Sequence, residues 1–197
     1  MANFGQSIRY NVANLTRFEG RDAPRHYWPY IGLLIGLHFI AGLFISIPIM
    51  IDAFTGTFAA VGQQAAGAPP PDPQHLQAQM MQQMMSSVGA MLPYTVALGL
   101  IVDFLALAAT VRRLHDRNWS GWWAALIFVS LAIGLASNWW TMHIINGQGV
   151  DALIDHMASI QLLGWLPWVG YIILLIQLVQ GGDVGDNRFG PEPDRSW

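Results

Sequence analysis

Arg112-Arg113-Leu114-His115-Asp116-Arg117-Asn118-Trp119-Ser120-Gly121-Trp122-Trp123 lies between two long apolar runs. Three arginines, a histidine and an aspartate fill five of its first six positions. Such a cluster is too costly to leave in hydrocarbon. It reads as a tight polar turn joining two helices that cross a membrane. Ser120 is a good N-cap for the second of them.

Working outward, the composition agrees. Of 197 residues, 53% are apolar and 11% charged, where soluble domains carry roughly 25% charged residues. The formal net charge of −3 gives no case for nucleic acid as a partner. There is no cysteine, so disulfides and thiolate metal sites are excluded. All nine basic residues are arginine, which excludes lysine Schiff-base and P-loop chemistry.

Four apolar runs predict an all-α integral membrane four-helix bundle, read as a single membrane domain over residues 1–197. The spans are expected at about 27–51, 92–111, 121–140 and 160–179. The first run is too long for a signal-peptide core of roughly 7–15 residues and reads as a retained helix. Tyr27, Trp28 and Tyr30 form an aromatic belt at its start. Seventeen residues separate Trp122 from Trp139, about 26 Å of helix at 1.5 Å per residue. That nearly matches a hydrocarbon core of roughly 30 Å, so Trp122-Trp123 and Trp139-Trp140 should mark its two faces.

Two amphipathic interfacial helices are also expected. In residues 1–18, Phe4, Ile8, Val12 and Leu15 recur at helical spacing, with Asn3, Gln6, Arg9 and Asn14 on other faces. Residues 52–90 read as a polar loop with a proline-rich linker, after which Leu76, Met80, Met84, Val88 and Met91 share one face. Thioethers suit Cu(I), but a packing stripe accounts for these methionines, and no metal or cofactor is expected. Val150, Leu153, Ile154 and Met157 suggest a further short interfacial helix. Residues 181–197 read as a cytoplasmic tail of turns.

Arginine counting sets the topology. Four arginines precede the first span, three lie in the central turn, two lie in the tail, and the other two connections have none. The positive-inside rule puts both termini and the central turn in the cytoplasm. Glu19, Asp22, Asp116, Asp183, Asp186, Glu192 and Asp194 share that side.

Two sets of residues could carry chemistry. On the arginine side, Arg21, Arg112, Arg113, His115, Asp116, Asn187 and Arg188 could form a shared polar site. His115 beside Asp116 could serve as acid or base, although Asp116 could equally cap a helix. Within the membrane, Asp103 and His38 lie at similar depth on the first two helices. A contact between them would be a structural hydrogen bond or part of a proton or ion path. No zinc-protease, nucleophile-elbow or P-loop signature occurs.

Three segments resemble one family. These are Phe18-Glu19-Gly20-Arg21 with Tyr27-Trp28; Arg112 to Asp116 followed by Ser120-Gly121-Trp122-Trp123; and Gly185, Asn187-Arg188-Phe189-Gly190-Pro191 and Pro193. Their order and placement resemble the domain-of-unknown-function 805 family, the YhaH-like bacterial inner-membrane proteins. The chain departs from that pattern at Pro24 and His26, where a basic and an acidic residue are common, with Arg25 able to take the basic position. The resemblance implies a plasma-membrane location and supplies no mechanism.

Three functions are therefore weighed. The first is a non-enzymatic membrane module whose polar site engages membrane lipid headgroups or a partner protein, another copy of the chain included. The second is a small transporter or channel using His38 and Asp103. The third is a membrane enzyme acting on a lipid or phosphate through His115 and Asp116.

Overall fold

The computed structural model describes residues 4–65, 73–149 and 152–194. Its described regular structure is helical: α1 (Phe4–Ala13), α2 (Pro24–Ala65), α3 (Pro73–Asp116), α4 (Ala125–Gln148), α5 (Ala152–Asp155) and α6 (Met157–Val179). A 3₁₀ turn over Gly121–Ala124 precedes α4. Ser120 caps it, its hydroxyl oxygen accepting from the Trp122 N–H.

Among the described residues, four helical segments are long and apolar enough to cross a membrane: Pro24–Gly56, Gly89–Asp116, Gly121–Ile144 and Met157–Val179. Their outward side chains include Phe39, Phe44, Phe104, Leu162, Trp165 and Val179. Apolar surface of this extent on each helix needs lipid rather than water around it. Both tryptophan pairs of the third span face outward, as a belt at each interface requires.

Two expectations change. Residues 52–65 are helical rather than loop, and α2 and α3 reach 42 and 44 residues. That is about twice the roughly 20 needed to cross a bilayer. Hydropathy marks where a helix leaves hydrocarbon, not where it stops, and Gln, Met and Ala sustain a helix in water. The segment from Gln74 to Met91 is therefore the start of α3, not a separate surface helix, and Pro93 is accommodated within it. The proline-rich linker, the side chains of Met81, Met84 and Met85, and Asn3, Val150 and Arg195 lie outside what is described.

The chain divides into two compact units, one of residues 1–31 with 105–197 and one of Gly32–Phe104. In the second, the extensions of α2 and α3 approach closely: a Cβ at Gly56 would lie 2.6 Å from the Gln83 side chain. In the first, the start of α2 meets the end of α3. The Tyr27 and Thr110 hydroxyls are 3.3 Å apart, and the Tyr30 hydroxyl donates to the Leu105 carbonyl at 3.0 Å. α4 and α6 pack through small residues. A Cβ at Gly170 would sit 2.3 Å from the Ser130 hydroxyl, and Gly134 meets Pro167. Close approach through glycine and serine is the usual means of helix association where no hydrophobic effect drives it.

Gly170→Ala should therefore cost about 1–3 kcal/mol through overpacking, read as a lower thermal midpoint of the full chain in detergent. Gly164→Ala, on the same helix but with nothing within 4 Å of its Cβ, should leave the midpoint unchanged or raise it.

Candidate functional site

The first unit holds a buried cluster of opposite charges. α3 ends in a Schellman turn: the Trp119 N–H donates to the Leu114 carbonyl and the Asn118 N–H to that of His115, both at 2.9 Å. Asn118 takes the left-handed conformation this requires, with φ 55°. The last turn of α3 thereby directs Arg112, Arg113 and Asp116 inward, and each is at most 1% exposed.

Every guanidinium nitrogen of Arg21, Arg112 and Arg113 has a protein partner. Arg112 donates through Nε to Asp22 at 2.8 Å, through Nη1 to the carbonyls of Asn14 and Arg17, and through Nη2 to the Asn11 side chain. Arg21 donates through Nε and Nη2 to Asp116 Oδ1 at 3.2 and 3.0 Å. Its Nη1 and Nη2 also reach the carbonyls of Gly185 and Asp183, both at 2.6 Å. Arg113 pairs with Asp116 Oδ2 and caps α6 by donating to the carbonyls of Leu178 and Gln180. That places a cation at the negative end of α6.

Asp116 is the hub. A carboxylate in the last turn of a helix is ordinarily unfavourable, and two guanidinium groups offset that here. Its backbone carbonyl accepts from the Asp183 N–H at 2.8 Å. The tail runs so close that a Cβ on Gly182 would lie 1.8 Å from Asp116 Oδ2, which only glycine permits. The Asn187 side chain donates to the His115 carbonyl at 2.9 Å, satisfying another helix-end acceptor. Arg25 pairs with Asp194 at 3.7 Å, so it does form an ion pair at the entry of α2.

The predicted polar residues therefore converge in two groups. Arg21, Arg112, Arg113 and Asp116 are enclosed. His115, Asn187 and Arg188 border them on the outside: the His115 ring stacks on Phe189 at 3.8 Å, and the Arg188 guanidinium lies 4.7 Å from the same ring. The His115 and Asp116 side chains have different partners, Gly20 for the ring and two arginines for the carboxylate. In the second unit His38 is exposed and Asp103 half-buried. His38 lies within electrostatic reach of Asp103, but no hydrogen bond or ion pair between them occurs among the described residues.

Sequence reasoning passed over Asp22, which is fully buried, and the α1 residues that hold it in place. The Tyr10 hydroxyl donates to Asp22 at 2.8 Å, and the Arg112 guanidinium lies over its ring. Three inward arginines need carboxylates, and matching them to the acids on their side would have pointed to Asp22. Burial, then the Asp22 charge, push the Tyr10 phenol up to about 12.

Asp116→Asn should destabilise the fold by about 3–5 kcal/mol, because it leaves two buried cations without their counter-charge. Arg188→Gln, at an exposed position, should change stability by no more than about 0.5 kcal/mol. Denaturant-induced unfolding in mixed micelles separates them. The Tyr10 phenol favours folding below its ordinary pKa of 10 and ceases to as pH rises through about 12. Stability should therefore fall across that window, and less steeply in Tyr10→Phe, when unfolding is followed by circular dichroism.

A family model described as "Protein of unknown function (DUF805)" matches residues 15–191. The chain is 23% identical to the inner membrane protein YhaH of Escherichia coli (strain K12) over 182 residues, 92% of this chain and 91% of that one. It is 30% identical to the inner membrane protein YhaI of the same strain over 107 residues, 54% of this chain and 59% of that one. No solved structure matches it. The family match takes in both buried carboxylates and all three buried arginines, and the chain belongs to the DUF805 family of integral inner-membrane proteins.

Proposed function

We propose that this protein is a non-enzymatic membrane module whose arginine-rich end faces the cytoplasm and engages anionic lipid headgroups. One observation carries this reading: the groups best suited to chemistry are occupied internally, while the outward groups suit an interface. Both Asp116 carboxylate oxygens accept from guanidinium groups in a site closed to solvent. Arg9, Arg17 and Arg188 are exposed.

α1 supports the same reading. Its polar residues Ser7 and Asn11 face the protein, both donating to the His26 carbonyl. Its apolar residues Phe4 and Val12 face away, as does Phe18 beyond it. A helix fixed by its polar side with apolar side chains outward suits the headgroup–acyl boundary, where neighbouring arginines meet phosphates.

Binding that favours the folded state raises its stability by mass action. The thermal midpoint of the full chain in phosphatidylcholine nanodiscs should therefore rise as phosphatidylglycerol is added. In Arg9→Gln/Arg17→Gln the rise should shrink by about half. A midpoint indifferent to anionic lipid refutes the headgroup reading. Orientation is tested separately: reporters at the C-terminus and within residues 66–72 should report opposite compartments, with the C-terminus cytoplasmic.

A further inference from the structure

A groove of about 610 Å³ runs beside the buried cluster, between the end of α3 and the start of α4. It falls within the 300–1,000 Å³ typical of small-molecule sites. Leu107, Val111 and His115 line it at successive turns of α3, and Ala125 and Phe128 line it from α4. Its polarity is one-ended. His115 and Ser120 lie where both helices meet the connecting turn, and the other named walls are apolar. Gly121 keeps the floor open, since a Cβ there would lie 2.7 Å from Val111 and 3.2 Å from the His115 Nε2.

The polar end has a definite hydrogen-bonding character. The His115 Nδ1 lies 3.2 Å from the Gly20 carbonyl, so Nδ1 carries the proton and the neutral ring presents Nε2 as an acceptor. The Ser120 hydroxyl oxygen accepts from the Trp122 N–H, leaving its own proton to donate. Arg188 supplies an exposed positive charge against the turn that closes this end, outside the groove's own walls. It is held by the Asn118 carbonyl at 2.9 Å and by the Phe189 ring that stacks on His115. One apolar channel, one cation, one hydroxyl donor and one acceptor describe an amphiphile with an anionic, hydroxyl-bearing head.

We propose that the groove holds one anionic glycerophospholipid, an acyl chain lying along Leu107, Val111 and Phe128 and the headgroup set between Arg188, Ser120 and His115. This assignment rests on the headgroup reading above and gives it a fixed, stoichiometric site. The phosphate takes the Arg188 and Ser120 donors. A headgroup hydroxyl donates to Nε2, which makes phosphatidylglycerol the natural probe.

Native mass spectrometry of the purified full chain, offered phosphatidylglycerol or phosphatidylcholine, tests it. The parent should retain one phosphatidylglycerol per protomer, with a preference of about tenfold, the value of one charge-assisted hydrogen bond. Ala125→Trp fills the groove without touching the buried cluster and should abolish that retained copy at an unchanged thermal midpoint. Should that variant lose its fold, Arg188→Gln serves instead: it should still retain a lipid but lose the preference. Equal retention of phosphatidylglycerol by the parent and a folded Ala125→Trp, or a preference that survives Arg188→Gln, overturns the groove assignment. If Arg9→Gln/Arg17→Gln still blunts the nanodisc response in that case, the headgroup reading stands and only the groove is wrong. No preference for anionic lipid in either experiment overturns both.

Discussion

Burying a guanidinium group is among the costlier acts in protein folding, and the described residues bury three beside two carboxylates. The excess positive charge is met by backbone carbonyls from the segment after α1, the end of α6 and the tail. Desolvation is offset only where the geometry satisfies nearly every donor, so the surroundings have little freedom. The close approach of Gly182, the left-handed Asn118 and the route of the tail over α3 all follow from placing acceptors around those three side chains.

The sequence made the helical membrane class legible because the apolar runs are long, and it made the arginine side legible because guanidinium placement is so uneven. It did not reveal that Arg112 and Arg113 turn inward. Charged residues beside a span ordinarily face water or phosphate, and no local pattern separates an arginine that anchors topology from one that is enclosed. The ends of α2 and α3 were illegible for a different reason. Periodicity detected helix from Gln74 onward, but the polarity at Asp52 and the proline at Pro93 suggested breaks that continuous helices absorb. Asp22 was visible as an acid, and only the three-dimensional match to Arg112 gives it a role.

The arrangement also bears on the three functions weighed from sequence. An acid–base pair at His115 and Asp116 needs two side chains that share a proton path, yet one ring turns to Gly20 and the carboxylate turns to Arg21 and Arg113. His38 and Asp103 belong to the other compact unit, within electrostatic reach but without a joining hydrogen bond. Phe4, Val12 and Phe18 face outward beside Arg9 and Arg17, and the proposed headgroup contact rests on that surface.

The partners of the cluster lie far apart along the chain. Arg21 is separated from Asp116 by 95 residues and from the Gly185 carbonyl by 164. A ribosome releases these pieces in order, so the final acceptors arrive only after all four apolar spans have been made. Until then Arg21 still lacks the carbonyls of Asp183 and Gly185. Closure of the cluster thus waits for the tail, and a chain cut short before Asp183 would leave the Asp116 carbonyl and Arg21 without those partners.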